Sequence, residues 1–200
     1  MRMINSANDT ADGYFSVLAY VDNDDPYRYK YPGWVHIGEP KHLGPAYRAL
    51  YEMSTSDIVM MCADDLIFRS KGWDTKVQEL MPKDLVGLVS FDDLGNKPKK
   101  KENGHPFIGR KLIEKIGYIC HPTLNHSCVD SWIVQIAQGL KRFYRSDEIL
   151  IEHMHPKYEK GENDSTYDRN DHSIRLRDGA IYRHSADQIK KTIESIKESL

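Results

Sequence analysis

Three apolar runs in the first half of the chain each stop at a cluster of acidic residues. Residues 16–21 end at Asp22, Asn23, Asp24 and Asp25, residues 58–63 at Asp64 and Asp65, and residues 85–91 at Asp92 and Asp93. Short, continuous runs of this kind, β-branched in the first and third, predict buried strands covered on both faces. Between them the apolar spacing changes. Ala46, Leu50 and Met53 predict a helix over residues 46–54, and further helices are expected over 1–12, 74–80, 110–116 and 129–140. Gly117 and Gly139 close the last two. A short final strand is expected at residues 148–151. Residues 26–45, broken by Pro26, Pro32, Gly33, Pro40, Gly44 and Pro45, read as a loop.

The second half is more polar. Lys97, Lys99, Lys100 and Lys101 predict a solvated loop over residues 95–104. Residues 155–184 read as a lid-like segment of low hydrophobicity. Ser185 and Gln188 have capping-box spacing, and Ile189, Ile193, Ile196 and Leu200 form one stripe on a helix over 185–200. That helix is expected to pack on the same domain, which spans residues 1–184. Strands alternating with helices predict a single α/β domain, Rossmann-like, with a mixed, mostly parallel sheet flanked by helices.

Composition narrows the function. With 200 residues and 40% hydrophobic content the chain can bury a sizeable core. A formal net charge of −2 argues against gripping nucleic acid by bulk charge. No apolar run approaches the ~20 residues that span a bilayer, so no membrane insertion is expected. Cys62, Cys120 and Cys128 form no C-x-x-C, and no apolar signal segment follows Met1. Both features suit free thiols in a cytoplasmic protein.

In open α/β sheets, ligands bind beyond the carboxyl ends of the strands. Carboxylates gathered there repel one another unless a cation joins them, and hard divalent ions favour oxygen ligands. A single Asp pair after a strand is more simply a turn or capping pair. Three such pairs favour a metal with an anionic ligand such as a diphosphate. A second block holds His105, Arg110, His126, Asp130 and Trp132. Asp130, at the entrance of a helix, is either an N-cap or a carboxylate that takes a proton from a hydroxyl. A third block holds His153 and His155 just past a strand, where an imidazole can reach a metal. Tyr27, Tyr29, Tyr31 and Trp34 either pack a long loop or stack on a base or sugar. Cys120, His121, His126 and Cys128 lack the spacing of structural zinc. No G-x-S-x-G, G-x-G-x-x-G or Walker-type loop is present.

In this order the blocks resemble the nucleotide-sugar glycosyltransferases of the GT-A fold, especially short family 2-like enzymes of the kind encoded by bacteriophages. The resemblance runs from Met1 to about Asp164. Val21 to Pro26 resembles the end of the family's second strand, so Asp22 and Asp24 are implied to contact the nucleotide. Ala63-Asp64-Asp65-Leu66 with Gly72-Trp73-Asp74 resembles the segment with the D-x-D-type motif, written here as a D-D variant. It implies that Asp65 and Asp64 bind Mn²⁺ or Mg²⁺ with His153 or His155, and that Asp64, Trp73 and Arg110 contact the donor. His105, His126 and Trp132 would line the acceptor site, with Asp130 as the base of an inverting transfer. The family normally opens with an apolar strand and a basic loop. This chain starts at what resembles the helix after that strand, which implies a GT-A-like sheet lacking its first strand and a donor site short of one wall. The partners implied are a nucleotide sugar, a UDP-sugar by preference, and an acceptor hydroxyl on a compound such as a glycan or a modified nucleobase. Two other classes share these features: a nucleotidyltransferase, and a non-catalytic sugar- or nucleotide-binding remnant.

Overall fold

A computed structural model of the chain describes residues 2–26, 28–30, 33–95, 104–161 and 172–200. Helix α1 (Arg2–Thr10) leads into strand β1 (Leu18–Asp22), a 3-10 turn (Arg28–Lys30) and β2 (Trp34–Gly38). Next come α2 (Leu43–Met53), β3 (Ile58–Met60), β4 (Leu66–Phe68), α3 (Trp73–Leu80) and β5 (Leu88–Asp92). They are followed by β6 (Phe107–Gly109), α4 (Arg110–Ile116), α5 (Val129–Gly139) and β7 (Phe143–His153). After a 3-10 turn (Pro156–Tyr158), helices α6 (His172–His184) and α7 (Ala186–Glu198) complete a mixed α/β domain.

The larger sheet has the order β3-β6-β5-β7-β4. Strands β5 and β7 are parallel, whereas β3–β6, β5–β6 and β4–β7 are antiparallel. The expected mostly parallel sheet is therefore corrected to a mixed one in which antiparallel pairing dominates. The cause is two three-residue strands, β4 and β6, too short to show any periodicity. Strand β6 separates β3 from β5 and runs against both. Strand β7 is longer than the predicted 148–151. Its first residues pair with β5, the register then shifts at Phe91/Asp92, and Ile151, Glu152 and His153 turn onto β4. A shift of this kind bends the strand and curls the sheet.

Both faces of this sheet are covered, as continuous apolar runs require. Leu88 and Ile108 join one core cluster with Leu112, Ile133, Ile136 and Ile189, while their chain neighbours Val89 and Phe107 join the other with Ala7, Leu66 and Phe68. Alternation along β5 and β6 thus feeds two cores, one under α4, α5 and α7 and one under α1 and α3. Of the predicted stripe, Ile189 and Ile196 are buried on α7, whereas Leu200 lies beyond the helix and is exposed. Ile193 lies so close to Gly139 that a Cβ at Gly139 would strike it.

Residues 26–45 are not all loop. Trp34–Gly38 forms β2, parallel to β1 in a separate two-stranded sheet. The capping box is not made. Ser185 Oγ donates instead to Ile181 O at 2.7 Å, and Gln188 Nε2 meets His121 Nε2 at 3.1 Å. Ser185 follows α6 so directly that the carbonyl behind it is nearer than the amides ahead. The segment expected as a lid contains α6, whose Asp178 is fully buried, so residues 172–184 belong to the packed domain. Residues 162–171, and Lys97, Lys99, Lys100 and Lys101, lie outside the described residues. Among the described residues no helix is long and apolar enough to cross a membrane.

Candidate active site

Although β6 intervenes, β3, β5 and β7 run in the same direction, and their carboxyl ends meet at one edge of the sheet. Strands β4 and β6 run the other way, so their amino ends start there. Asp64 and Asp65 join β3 to β4, Asp93 follows β5, His105 precedes β6, and His153 ends β7. Backbone bonds lock these ends together. His153 N–H donates to Asp93 O at 3.1 Å, and Met154 N–H donates to Asp65 O at 2.9 Å.

The side chains converge on the same edge. Asp65 Oδ2 lies 3.1 Å from His153 Nε2, with both side chains largely buried. His153 meets His105 edge-on with ring centroids 4.7 Å apart, and His155 on its other side at 5.2 Å. Tyr158 packs against both His153 and His155. Lys160 closes the group from outside, donating to Leu94 O at 2.8 Å and to Glu152 Oε1 at 2.7 Å. Arg69 Nε donates to Glu152 Oε2 at 3.0 Å, and the bonds from Lys160 and Arg69 hold the Glu152 carboxyl below its usual range.

Burial governs the electrostatics. His105 is buried, and Met61 O lies 3.0 Å from its Nδ1. A carbonyl only accepts, so Nδ1 carries the proton of the neutral ring. Desolvation, with His153 alongside, pushes His105 down to about 4. The Cys62 thiol is pushed up to about 12 by burial and by the neighbouring Asp64 and Asp65 carboxylates. Tyr47, in α2, donates its hydroxyl to Cys62 O at 3.1 Å. Burial first, then the Cys62, Cys120, Asp130 and Asp65 charges, raise Tyr47 well above the ordinary phenol value. Tyr47 therefore stands within electrostatic reach of both Asp65 and Asp130.

Asp130 is not the N-cap of α5. That position is Cys128, in the left-handed region at φ 61°, and Asp130 lies in the first turn. A Cβ at Gly104 would lie 3.7 Å from Asp130 Oδ2, so the carboxylate borders the segment that enters His105.

A stability profile tests the buried imidazole. Below the ordinary value of 6.5 the unfolded His105 takes up a proton that the folded one refuses until about 4. Folding stability contributed by the neutral ring is complete above 6.5 and is lost as pH falls through that window. The gap corresponds to about 3 kcal/mol. Urea denaturation in EDTA at pH 7 and near pH 4.5 should show this loss in the wild type and a flatter profile in His105→Gln. Equal slopes in the two proteins would place the pH sensitivity elsewhere.

Other predicted site residues do not join this edge. Arg110 follows the far end of β6, where its Nε and Nη2 donate to Ser56 O and Ser54 O at 2.6 and 2.8 Å. The guanidinium is thus engaged at the end of the sheet opposite Asp65, away from the edge where Asp64, another expected donor residue, lies. Trp73 is 6% exposed, with Phe15, Phe68 and Phe107 around it and its Nε1 directed at Ala7 O. Trp132 is 1% exposed and lies 4.1 Å from the His121 ring, centroid to centroid. Both indoles are core residues because each sits on the inner face of a helix. His126 is held through its backbone, and its imidazole value is lowered by burial and by His42 and Arg175. Asp22 ends β1 on the smaller sheet and Asp24 follows it; Asp22 Oδ1 accepts from Lys41 N–H at 3.2 Å.

Three residues here were missed in the sequence, Tyr47, Tyr158 and Asp178, whereas Asp93 belongs to the third acidic cluster read there. Asp178 Oδ2 accepts backbone N–H groups from Asn125, His126 and Ser127 at 3.1, 2.7 and 3.0 Å, and so shapes the loop that delivers Asp130. Its only sequence signal was a carboxylate inside a polar stretch.

Among the described residues no three His, Cys, Asp or Glu side chains form a ready metal cage. Asp65 Oδ2 and His153 Nε2 would be the protein donors to Mn²⁺ or Mg²⁺ at this edge if such an ion bound with substrate phosphates. Hard cations of this kind keep several waters and take few protein ligands alongside substrate phosphates. The chain matches no protein-family model, and no curated protein or solved structure is significantly similar to it.

Proposed function

We propose that the chain is a metal-dependent glycosyltransferase that moves a sugar from a nucleotide-sugar donor, a UDP-sugar by preference, to an acceptor hydroxyl with inversion. The observation that carries this proposal is the Asp65–His153 contact where three carboxyl strand ends meet. Asp65 and His153 would hold Mg²⁺ or Mn²⁺ against the donor diphosphate, with Asp64 and His155 beside them. The cation neutralises charge that develops on the leaving nucleotide. His105, neutral at pH 7, packs against the His153 ring and limits its orientation. Asp130 would accept the proton of the acceptor hydroxyl as it attacks the anomeric carbon. A glycan or a modified nucleobase supplies such a hydroxyl.

The test is UDP affinity by calorimetry, with Mn²⁺ and with EDTA, in the wild type and in Asp65→Ala. Mn²⁺ should strengthen binding in the wild type and have little effect in the variant. Equal affinity in all four conditions would remove the metal from the proposal. Metal-dependent binding without donor hydrolysis would favour a binding remnant. Pyrophosphate release from a nucleoside triphosphate and a sugar phosphate would favour a nucleotidyltransferase.

A further inference from the structure

The smaller sheet carries its own exposed chemistry. Side chains alternate across a strand, so in the parallel register Leu18, Tyr20 and Asp22 share a face with Trp34, His36 and Gly38. Val21 is buried and belongs to the opposite face, which turns the first set outward. Trp34 is 72% exposed, so the packing role open to it in a long loop is not the one it takes.

The rings beside Trp34 are ordered by the protein itself. His36 and Tyr20 lie with centroids 5.3 Å apart and planes tilted by 31°. Tyr20 leans over Gly38, where any Cβ would collide with its hydroxyl. That hydroxyl donates to Glu39 O at 2.7 Å, and Lys41 Nζ sits 5.1 Å from the ring centroid. Polar groups border the carboxyl end of the same strip: Asp22 beside Lys41, and Asn23 Nδ2 donating to Glu39 Oε1 at 2.7 Å.

We infer that this outward face of β1 and β2 is a binding platform for a neutral oligosaccharide. A pyranose offers an apolar face of C–H groups and a rim of hydroxyls. Exposed indole and imidazole rings match the face, and carboxylate, amide and carbonyl groups match the rim. Aromatic rings also stack on nucleobases. Between residues 22 and 41, Asp22, Asp24, Asp25 and Glu39 slightly outnumber Arg28, Lys30 and Lys41, so this part of the chain offers a phosphate backbone no net attraction. An uncharged polyhydroxyl chain is the ligand that both features admit. The inference is independent of the proposed transferase activity, since it shares no residue with the Asp65–His153 edge.

The full chain is titrated calorimetrically with cellohexaose, chitohexaose and mannohexaose, and with a short oligothymidine as the polyanionic control. At least one hexasaccharide should bind. Trp34→Ala and His36→Ala should each weaken or abolish that binding, and Trp34→Phe should restore part of it. Ile37→Ala, on the opposite face, should leave it unchanged. Because Trp34 is exposed, its variants should melt near the wild-type temperature. Failure of all three sugars to bind, binding indifferent to Trp34→Ala, or preferential binding of oligothymidine would each overturn the inference.

Discussion

Asp130→Asn should slow sugar transfer by about 10²–10⁴-fold, the usual contribution of a general base, while UDP affinity stays near the wild-type value. The substitution keeps side-chain shape and removes the basic oxygen. Because Cys128 and not Asp130 occupies the N-cap, no cap is lost. The variant forfeits a negative charge in the first turn of α5, worth about 0.3–1 kcal/mol. The measurements are transfer rate, donor affinity and melting temperature on the same preparation. Transfer lost with stability and donor binding retained supports the base. Unchanged transfer would leave Asp130 as a first-turn carboxylate and require another base or a retaining route.

Asp178→Ala should destabilise the fold by roughly 3–5 kcal/mol, because it strands three backbone N–H groups that a buried carboxylate now satisfies. In a domain of this size the melting temperature should fall on the order of 10 °C. Asp178→Asn, which keeps an acceptor oxygen in the same place, should cost clearly less. Transfer should decline in both variants more than UDP affinity does, since the loop they loosen leads to Asp130 and not to Asp65. Thermal melts and calorimetry separate the two effects. A melting temperature unchanged in Asp178→Ala would show that the loop holds its shape without the carboxylate.

The sheet edge was legible in part, because two of the strands that end there announce themselves locally. Ile58–Met60 and Leu88–Asp92 fall within or beside predicted apolar runs, with aspartates at or a few residues past their ends, whereas Leu18–Asp22, equally visible, went to the smaller sheet. His153 and Asp65 were both nominated, and they meet. Helices α4, α5 and α7 were legible for a similar reason: a repeat of about 3.6 residues places their apolar side chains on one face. Trp73 and Trp132 show where this kind of reading stops. An indole beside a motif and an indole in a core look alike along the chain, and burial distinguishes them only after helices α3 and α5 have docked.

Local sequence therefore determined strands β1, β3 and β5, helices α1 to α5 and α7, and which of these strands are followed by carboxylates, since those properties depend on neighbours within a turn or two. Tertiary structure alone decided the partners. Strands β4 and β6 have three residues each, too few to carry a periodic signal, yet by pairing antiparallel they set the order of the sheet. Arg110 was drawn to the opposite edge because β6 runs against β3, a direction that nothing in Phe107-Ile108-Gly109 encodes. Asp178 became a buried anchor because α6 folds back onto residues 125–127, all more than fifty positions earlier in the chain. Hydrogen bonds and desolvation act across space with no regard for separation along the chain, and so the chemistry of each acid was settled by what folding brought beside it.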